Sequence, residues 1–176
     1  VILQDKTSKV AYRKLGLAYD RADFYNEASN AYEELHALDP RDYKVAIQVS
    51  DVNIADGNYG KAMRWAEKAI TSSKTGEAYG QRGNVYYKAF QECRSADISI
   101  DDRIIASLAH QSFKLAEEND YRRFHNSLLW LEENEVLFGR SQWFMLDANK
   151  KKQGYIKPDE ECYNWVEKRL EKDPSW

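Results

Sequence analysis

The sequence predicts an all-α fold of stacked helical hairpins, and three observations predict it. Between Lys9 and Asp42, Tyr12, Leu15, Tyr19 and Tyr32 recur at three- and four-residue steps that place them on one helical stripe. Gly16 and Ala28 are small enough for two antiparallel helices to approach closely, and Asp39-Pro40 then stops the second helix. The same pattern returns twice downstream in weaker form. A single hairpin is too thin to bury its own apolar face, so each copy needs the next.

Residues 1–8 read as a linker or the tail of a preceding repeat, because Val1 to Lys6 would sit where an earlier second helix ends. A chain that starts at Val1 suggests a fragment, so its lack of a leader carries no information about the whole protein. Residues 9–42 form the first hairpin, with helices at 8–21 and 25–38. Residues 43–75 form the second: Ala46, Val49, Ser50, Asn53, Ala62, Ala66 and Ala69 hold the corresponding offsets. Its turn, Asp56-Gly57-Asn58-Tyr59, stands where Ala22-Asp23-Phe24-Tyr25 stands in the first copy, and Asp-Gly breaks helices strongly.

Residues 76–118 form the third copy, with Tyr79, Arg82, Gly83 and Tyr86 in its first helix and Ala109, Phe113 and Ala116 in its second. Tyr12 and Ala28 lie 16 residues apart, as do Ala46 and Ala62, whereas Tyr79 and Ala109 lie 30 apart. The 14 extra residues amount to about two turns on each helix at roughly 3.6 residues per turn, and Ile104, Ile105 and Leu108 extend the apolar stripe. The expectation is an extended hairpin with a loop at 94–101 and Asp101 or Asp102 as N-cap. Residues 119–138 read as a capping helix with Phe124, Leu128 and Leu131 along one face, Glu135 either continuing that face or joining Glu132 and Glu133 on a polar outer surface.

Residues 139–176 change character. Ser141 to Leu146 and Gln153 to Ile156 predict either a short hairpin around Lys150-Lys151-Lys152 or irregular chain packed on the cap. Pro158, then Cys162, Trp165, Val166, Arg169 and Leu170 at helical steps, predict a terminal helix at 159–172. Trp130, Trp143, Phe144, Trp165 and Trp176 concentrate aromatic area here, expected to close the end of the stack, with a second docking surface as the alternative.

The 176 residues suit one domain; 43% hydrophobic residues supply a continuous core, and 31% charged residues are ordinary for a helical protein. Mean hydropathy is −0.78, and no apolar run is long enough to span a membrane. A net charge of −3 lacks the basic surplus that phosphate backbones demand, so nucleic acid is disfavoured as a partner. Cys93 and Cys162 lack pair-like spacing, which leaves both their redox state and the cellular compartment open.

Tyr12, Leu15-Gly16, Tyr19, Ala28, Tyr32, Leu35 and Pro40 together resemble the tetratricopeptide repeat, a helix–turn–helix unit of about 34 residues. The resemblance covers residues 9–118 and is closest in the first copy. It implies a right-handed α-solenoid whose first helices line a concave groove for a protein or peptide segment. The matching groove positions are Val10, Arg13, Leu17, Asp20 and Arg21, then Lys44, Ile47, Asp51, Ile54 and Ala55, then Glu77, Gly80, Asn84, Tyr87 and Lys88. Of these, Arg13, Leu17, Asp20, Lys44, Ile47, Asp51, Glu77, Asn84, Tyr87 and Lys88 are the candidate binding residues. Members of the family that clamp the C-terminal carboxylate of heat-shock chaperones need Lys, Asn and Arg on this face. Arg13 and Gln48 could substitute, but Leu17, Glu77 and Gln81 hold the other places, and Glu77 would repel an acidic tail.

No catalytic constellation is expected. Phosphate-loop and nucleophile-elbow patterns are absent, and His36, His110 and His125 fall on three different helices without metal-site spacing. A thiol nucleophile pairing Cys93 with His110 or His125 is the weaker alternative to packing roles. Asp147-Ala148-Asn149 with Gly154, Ile156 and Glu160 resembles a calcium loop, but the spacing is two residues too long and Lys150 to Lys152 would repel the ion. The expectation is therefore a non-catalytic scaffold without metal or cofactor. Its rival is a structural segment that positions another part of a larger assembly factor.

Overall fold

A computed structural model describes residues 8–94 and 96–176. Among them are nine α-helices: α1 (Lys9–Asp20), α2 (Tyr25–Leu38), α3 (Tyr43–Ala55), α4 (Tyr59–Ser72), α5 (Gly76–Cys93), α6 (Ile100–Glu118), α7 (His125–Glu133), α8 (Arg140–Met145) and α9 (Ala148–Lys152). The tail adds a 3-10 turn at Glu161–Tyr163 and two antiparallel strands, β1 (Tyr155–Ile156) and β2 (Leu170–Glu171), in register Tyr155↔Glu171. Each of the helices α1 to α6 packs on the next, so the fold is all-α with serial helix-on-helix contact. The stretch 1–8 is described only at Ser8, whose hydroxyl caps α1 by accepting from the Ala11 amide at 3.3 Å.

The turns carry the repeat signal down to the backbone. Asp23 and Gly57 occupy matching places and both adopt left-handed backbone, φ 58° and 72°. In each turn the amide of the residue after the left-handed one returns to a carbonyl in the helix's last turn, Phe24 to Tyr19 at 3.0 Å and Asn58 to Asn53 at 2.8 Å. The small residues act as expected. A Cβ added to Gly16 would sit 2.6 Å from the Tyr32 ring, and one added to Gly83 would enter the Phe113 ring. Ala28, Tyr32, Leu35, Val45, Ala46 and Val49 form the first core, and Ala62, Ala66 and Val85 carry burial into the second, around α5, α6 and α7.

Buried polar side chains tie successive helices together. Asn53 Nδ2 donates to Ser29 Oγ at 2.9 Å, Ser50 Oγ donates to the Ala62 carbonyl at 2.9 Å, and Arg82 Nε donates to Ser112 Oγ at 3.1 Å. Each of these groups is buried and satisfied across a helix pair, which fixes the rotation of one helix against its neighbour.

Three local expectations are corrected. Ser99, not Asp101 or Asp102, is the N-cap of α6; its hydroxyl accepts from the Asp102 amide while Asp102 Oδ2 accepts from the Ser99 amide. That frees the Asp101 carboxylate for a different task. The capping helix is shorter than 119–138. Asp120 turns left-handed (φ 61°) and the Tyr121 amide closes on the Ala116 carbonyl, so α6 ends with the same device as the two turns above; Glu135 (φ 53°) lies just beyond the other end. Phe124, Leu128 and Leu131 pack inward, and Glu135 is exposed with Glu132 and Glu133 on the outer side.

The tail forms neither a hairpin around Lys150 to Lys152 nor a helix at 159–172. Those lysines lie in α9, and its N-terminal partner Asp147 accepts from the Asn149 and Lys150 amides. Beyond Pro158 no helix forms: Asp101 Oδ2 accepts from the Asp159 and Glu160 amides at 2.5 and 2.7 Å, the Tyr163, Asn164 and Val166 amides close short local turns, and the Tyr163 hydroxyl donates to Asp102 at 2.5 Å. Cys93 at the end of α5 is joined to Cys162, with Cα atoms 6.2 Å apart. Trp165 then stacks on both Tyr59 and Tyr86, while Tyr163, Val166 and Leu170 enter the second core. The aromatic residues of the tail mostly close the stack: Trp176 lies against Phe138 and Trp143, whereas Phe144 stays exposed.

Candidate protein-binding face

Helix α3 packs directly on α5 as well as on its sequence neighbours, and α1 reaches the same side through Arg13, which meets Asp42 at the start of α3, and Asp20, whose charge acts on Asp51. Helical period then decides which side chains this face offers. On α1, Val10, Arg13, Leu17 and Arg21 are exposed and Asp20 is half-buried. Arg13 is drawn back toward the chain, with Nη2 3.4 Å from Asp42 Oδ2. On α3, Lys44, Asp51 and Ala55 are exposed, whereas Ile47 is only 8% exposed and belongs to the first core. Ile54 is half-buried against Ala62 and Val85.

On α5, Lys88 is exposed and donates to Gln91 Oε1 at 3.2 Å. Glu77 is half-buried and accepts from the Tyr43 hydroxyl at 3.1 Å. Asn84 is half-buried; Tyr87 stands edge-on to Phe113 and Trp130. Gly80 is buried beneath Tyr121 and Phe124 of the α6–α7 connection. The far end of the face is thus occupied by the chain itself, and what stays open runs from Val10 to Glu77.

The charge arrangement has a centre. Asp51 Oδ1 accepts from Gln81 Nε2 at 2.7 Å, and that same nitrogen also donates to Ser50 Oγ at 3.0 Å. Its side chain is open to solvent yet ringed by protein, and desolvation pushes its carboxyl above the ordinary value; Asp20 and Glu77 push the same way, while the Gln81 hydrogen bond and Arg123 oppose them. Among the described residues no cation lies within ion-pair distance of Asp51.

Sequence reasoning missed Arg123. It lies on the short α6–α7 connection, over the Phe124 ring at 5.7 Å, and its charge is felt at Asp51 and Glu77. A helix running through 119–138 would have carried it elsewhere, so the sequence held no signal for it short of recognising the turn at Asp120. Carboxylates from two helices, Asp51 of α3 and Glu77 of α5, therefore share the charge of one guanidinium, with Asp20 of α1 acting on Asp51.

The other chemistry-bearing residues are accounted for locally. His110 Nε2 lies 2.7 Å from Glu132 and His125 Nδ1 lies 2.6 Å from Glu117. His36 is buried edge-on to Trp65. Cys93 is committed to the disulfide, so the thiol pairings weighed from sequence have no free thiol. Among the described residues no cluster of three His, Cys, Asp or Glu side chains could hold a metal ion, and no helix is long and apolar enough to cross a membrane. No family model matches the chain, and no curated protein matches it.

Proposed function

We propose that the chain is a non-catalytic scaffold of tetratricopeptide type, right-handed in its coil, that holds a protein or peptide segment along α1, α3 and α5. The observation that carries this reading is Asp51. A carboxylate kept in protein-ringed surroundings without a cation weakens the fold unless something else uses it. With Arg123 opposite, it suits a segment that offers a donor or cation to one side and a carbonyl to the other. On α1, exposed Leu17 and Val10 supply apolar contact, the mixed chemistry common to peptide grooves. The reading holds nucleic acid and cofactors to be absent from the function. The Cys93–Cys162 bridge supports work where disulfides persist, in an oxidising compartment.

Site-specific photo-crosslinking tests the reading. A photoreactive residue at Leu17 or Lys44 should capture the same segment, one at Glu34 or Lys68 on the even-numbered helices should not, and Asp51→Lys should abolish capture. Equal capture from both sets of positions, or capture indifferent to Asp51→Lys, would remove the face from the account. Charge reversal at Arg13 and Lys44 extends the map to its first two helices.

A further inference from the structure

Where the returning tail crosses α4 and α5 it encloses a cavity of about 550 Å3, separate from the odd-helix face. That volume lies within the roughly 300–1,000 Å3 range of small-ligand sites. Met63, Tyr86 and Trp165 give it apolar walls, and the Trp165 ring is held in place by its stacking on Tyr59 and Tyr86. Trp165 belongs to the tail, so the cavity exists only because the disulfide and the Asp101 and Asp102 contacts bring the chain back.

Three cations converge on it from three elements: Arg64 from α4, Arg82 from α5 and Lys168 from the tail. Glu67 and Glu167 line it as well, so the lining carries a net charge of +1. Arg82 is 8% exposed, and its closest carboxylate is Glu67 at 3.5 Å, whose side chain is about half exposed at 48%. Among the described residues Arg64 and Lys168 have no carboxylate within 4.0 Å. Burial and then the Arg82 charge push the Lys168 ammonium below its ordinary value. Two like charges thus face each other in a half-enclosed space, an arrangement that one anion would relieve. The larger depression beside it, about 740 Å3, is lined by Asp56 and Glu92 and by no cation, and offers an anion nothing.

We propose that this cavity binds an organic carboxylate attached to an apolar group, the carboxylate between Arg82 and Lys168 and the apolar part against Met63, Tyr86 and Trp165. A single negative charge matches the lining; a phosphate dianion would bring its second charge against Glu67 and Glu167. Such a carboxylate belongs either to a free small acid or to the C-terminus of a polypeptide with an apolar last residue. The site is independent of the odd-helix face, and either can fail without the other.

Calorimetric titration of the whole protein with N-acetyl-phenylalanine, its carboxamide and phenyl phosphate tests it. The acid should bind with a Kd below about 10 mM, and the carboxamide about tenfold more weakly. Phenyl phosphate should bind no better than the acid. Lys168→Gln should weaken the acid about tenfold, and Lys168→Arg should restore it. Arg64→Gln, at an exposed position, should weaken it without changing the melting temperature. A peptide ending in phenylalanine that outbinds the single acid assigns the site to chain ends, and the reverse order assigns it to free acids. Equal binding of acid and carboxamide, no heat with any of these probes, or indifference to Lys168→Gln would overturn the proposal. As a second readout, bound acid should raise the Lys168 side-chain pKa followed by NMR, and an unmoved pKa would also contradict it.

Discussion

Asp51 is held above the ordinary carboxyl value by desolvation, so the folded state disfavours its ionised form. What it contributes to stability is complete below the unfolded pKa of about 3.9 and is lost as pH rises through the folded value. Asp51→Asn, which keeps an oxygen for Gln81, should therefore stabilise the chain at neutral pH, by less than about 1 kcal/mol for a charge that solvent reaches. The same change should weaken partner capture. Urea unfolding of the two proteins at pH 7 checks the first half, and a destabilised Asp51→Asn would show that the carboxylate is structural.

His36 runs the other way. Burial and then the Lys68 ammonium push its imidazole below the ordinary value, so the folded state prefers the neutral ring. The stability this preference carries is complete above a pH of about 6.5 and is lost as pH falls through the folded value. The urea midpoint should fall between about pH 7 and pH 5, and His36→Phe, which keeps a ring against Trp65, should flatten part of that fall. An unchanged slope would place the proton elsewhere.

At the scale of elements, α1 to α6 were legible because each announces itself by local means. The stripes Tyr12–Leu15–Tyr19 and Ile104–Ile105–Leu108, the Asp56-Gly57 turn and the small residues Gly16 and Gly83 all act within a hairpin. The tail was not legible, because its conformation is set by residues far away in sequence. Cys162, Trp165, Val166 and Leu170 recur at steps that suit a helix, yet Asp101 takes the amides of Asp159 and Glu160 where that helix would start, and Tyr163, Trp165 and Cys162 are held by Asp102, by Tyr59 and Tyr86, and by Cys93. The cap of α6 was missed for the same reason: two aspartates in its first turn looked local, but each also serves the tail. Arg123 and the cavity around Lys168 follow from these long-range contacts and had no signature of their own.

The disulfide makes that dependence measurable. It closes a loop of 69 residues, for which the chain-entropy account gives about 4 kcal/mol of stabilisation. The double replacement Cys93→Ser with Cys162→Ser should lower the melting temperature by several degrees and should loosen Trp165 before it affects α1 or α2. Tryptophan fluorescence and circular dichroism followed on the same sample distinguish these events. Coincident loss of both signals with an unchanged midpoint would mean that the bridge adds nothing the core does not already supply.

For the whole molecule, stability should be graded along the stack rather than uniform. Burial in α1 is confined to Gly16, while α5 and α6 bury long continuous faces and receive the tail as well. Amide hydrogens in α1 should therefore exchange well ahead of those at Val85 to Phe90 and Ile104 to Ala109, as expected where neighbours supply most of each repeat's stability. Uniform protection would argue for one cooperative core. The gradient also separates tasks: the tail locks one end and forms its own cavity, and the odd-helix face between Val10 and Glu77 stays open.

That openness is tested most directly by the affinity of the captured segment, as a synthetic peptide, for the wild-type chain, Asp51→Lys, Arg123→Glu and Lys68→Glu. The account predicts at least about tenfold weaker binding for the first two variants and unchanged binding for the third, which lies on an even-numbered helix. Wild-type affinity in Asp51→Lys and Arg123→Glu, or a loss confined to Lys68→Glu, would contradict it.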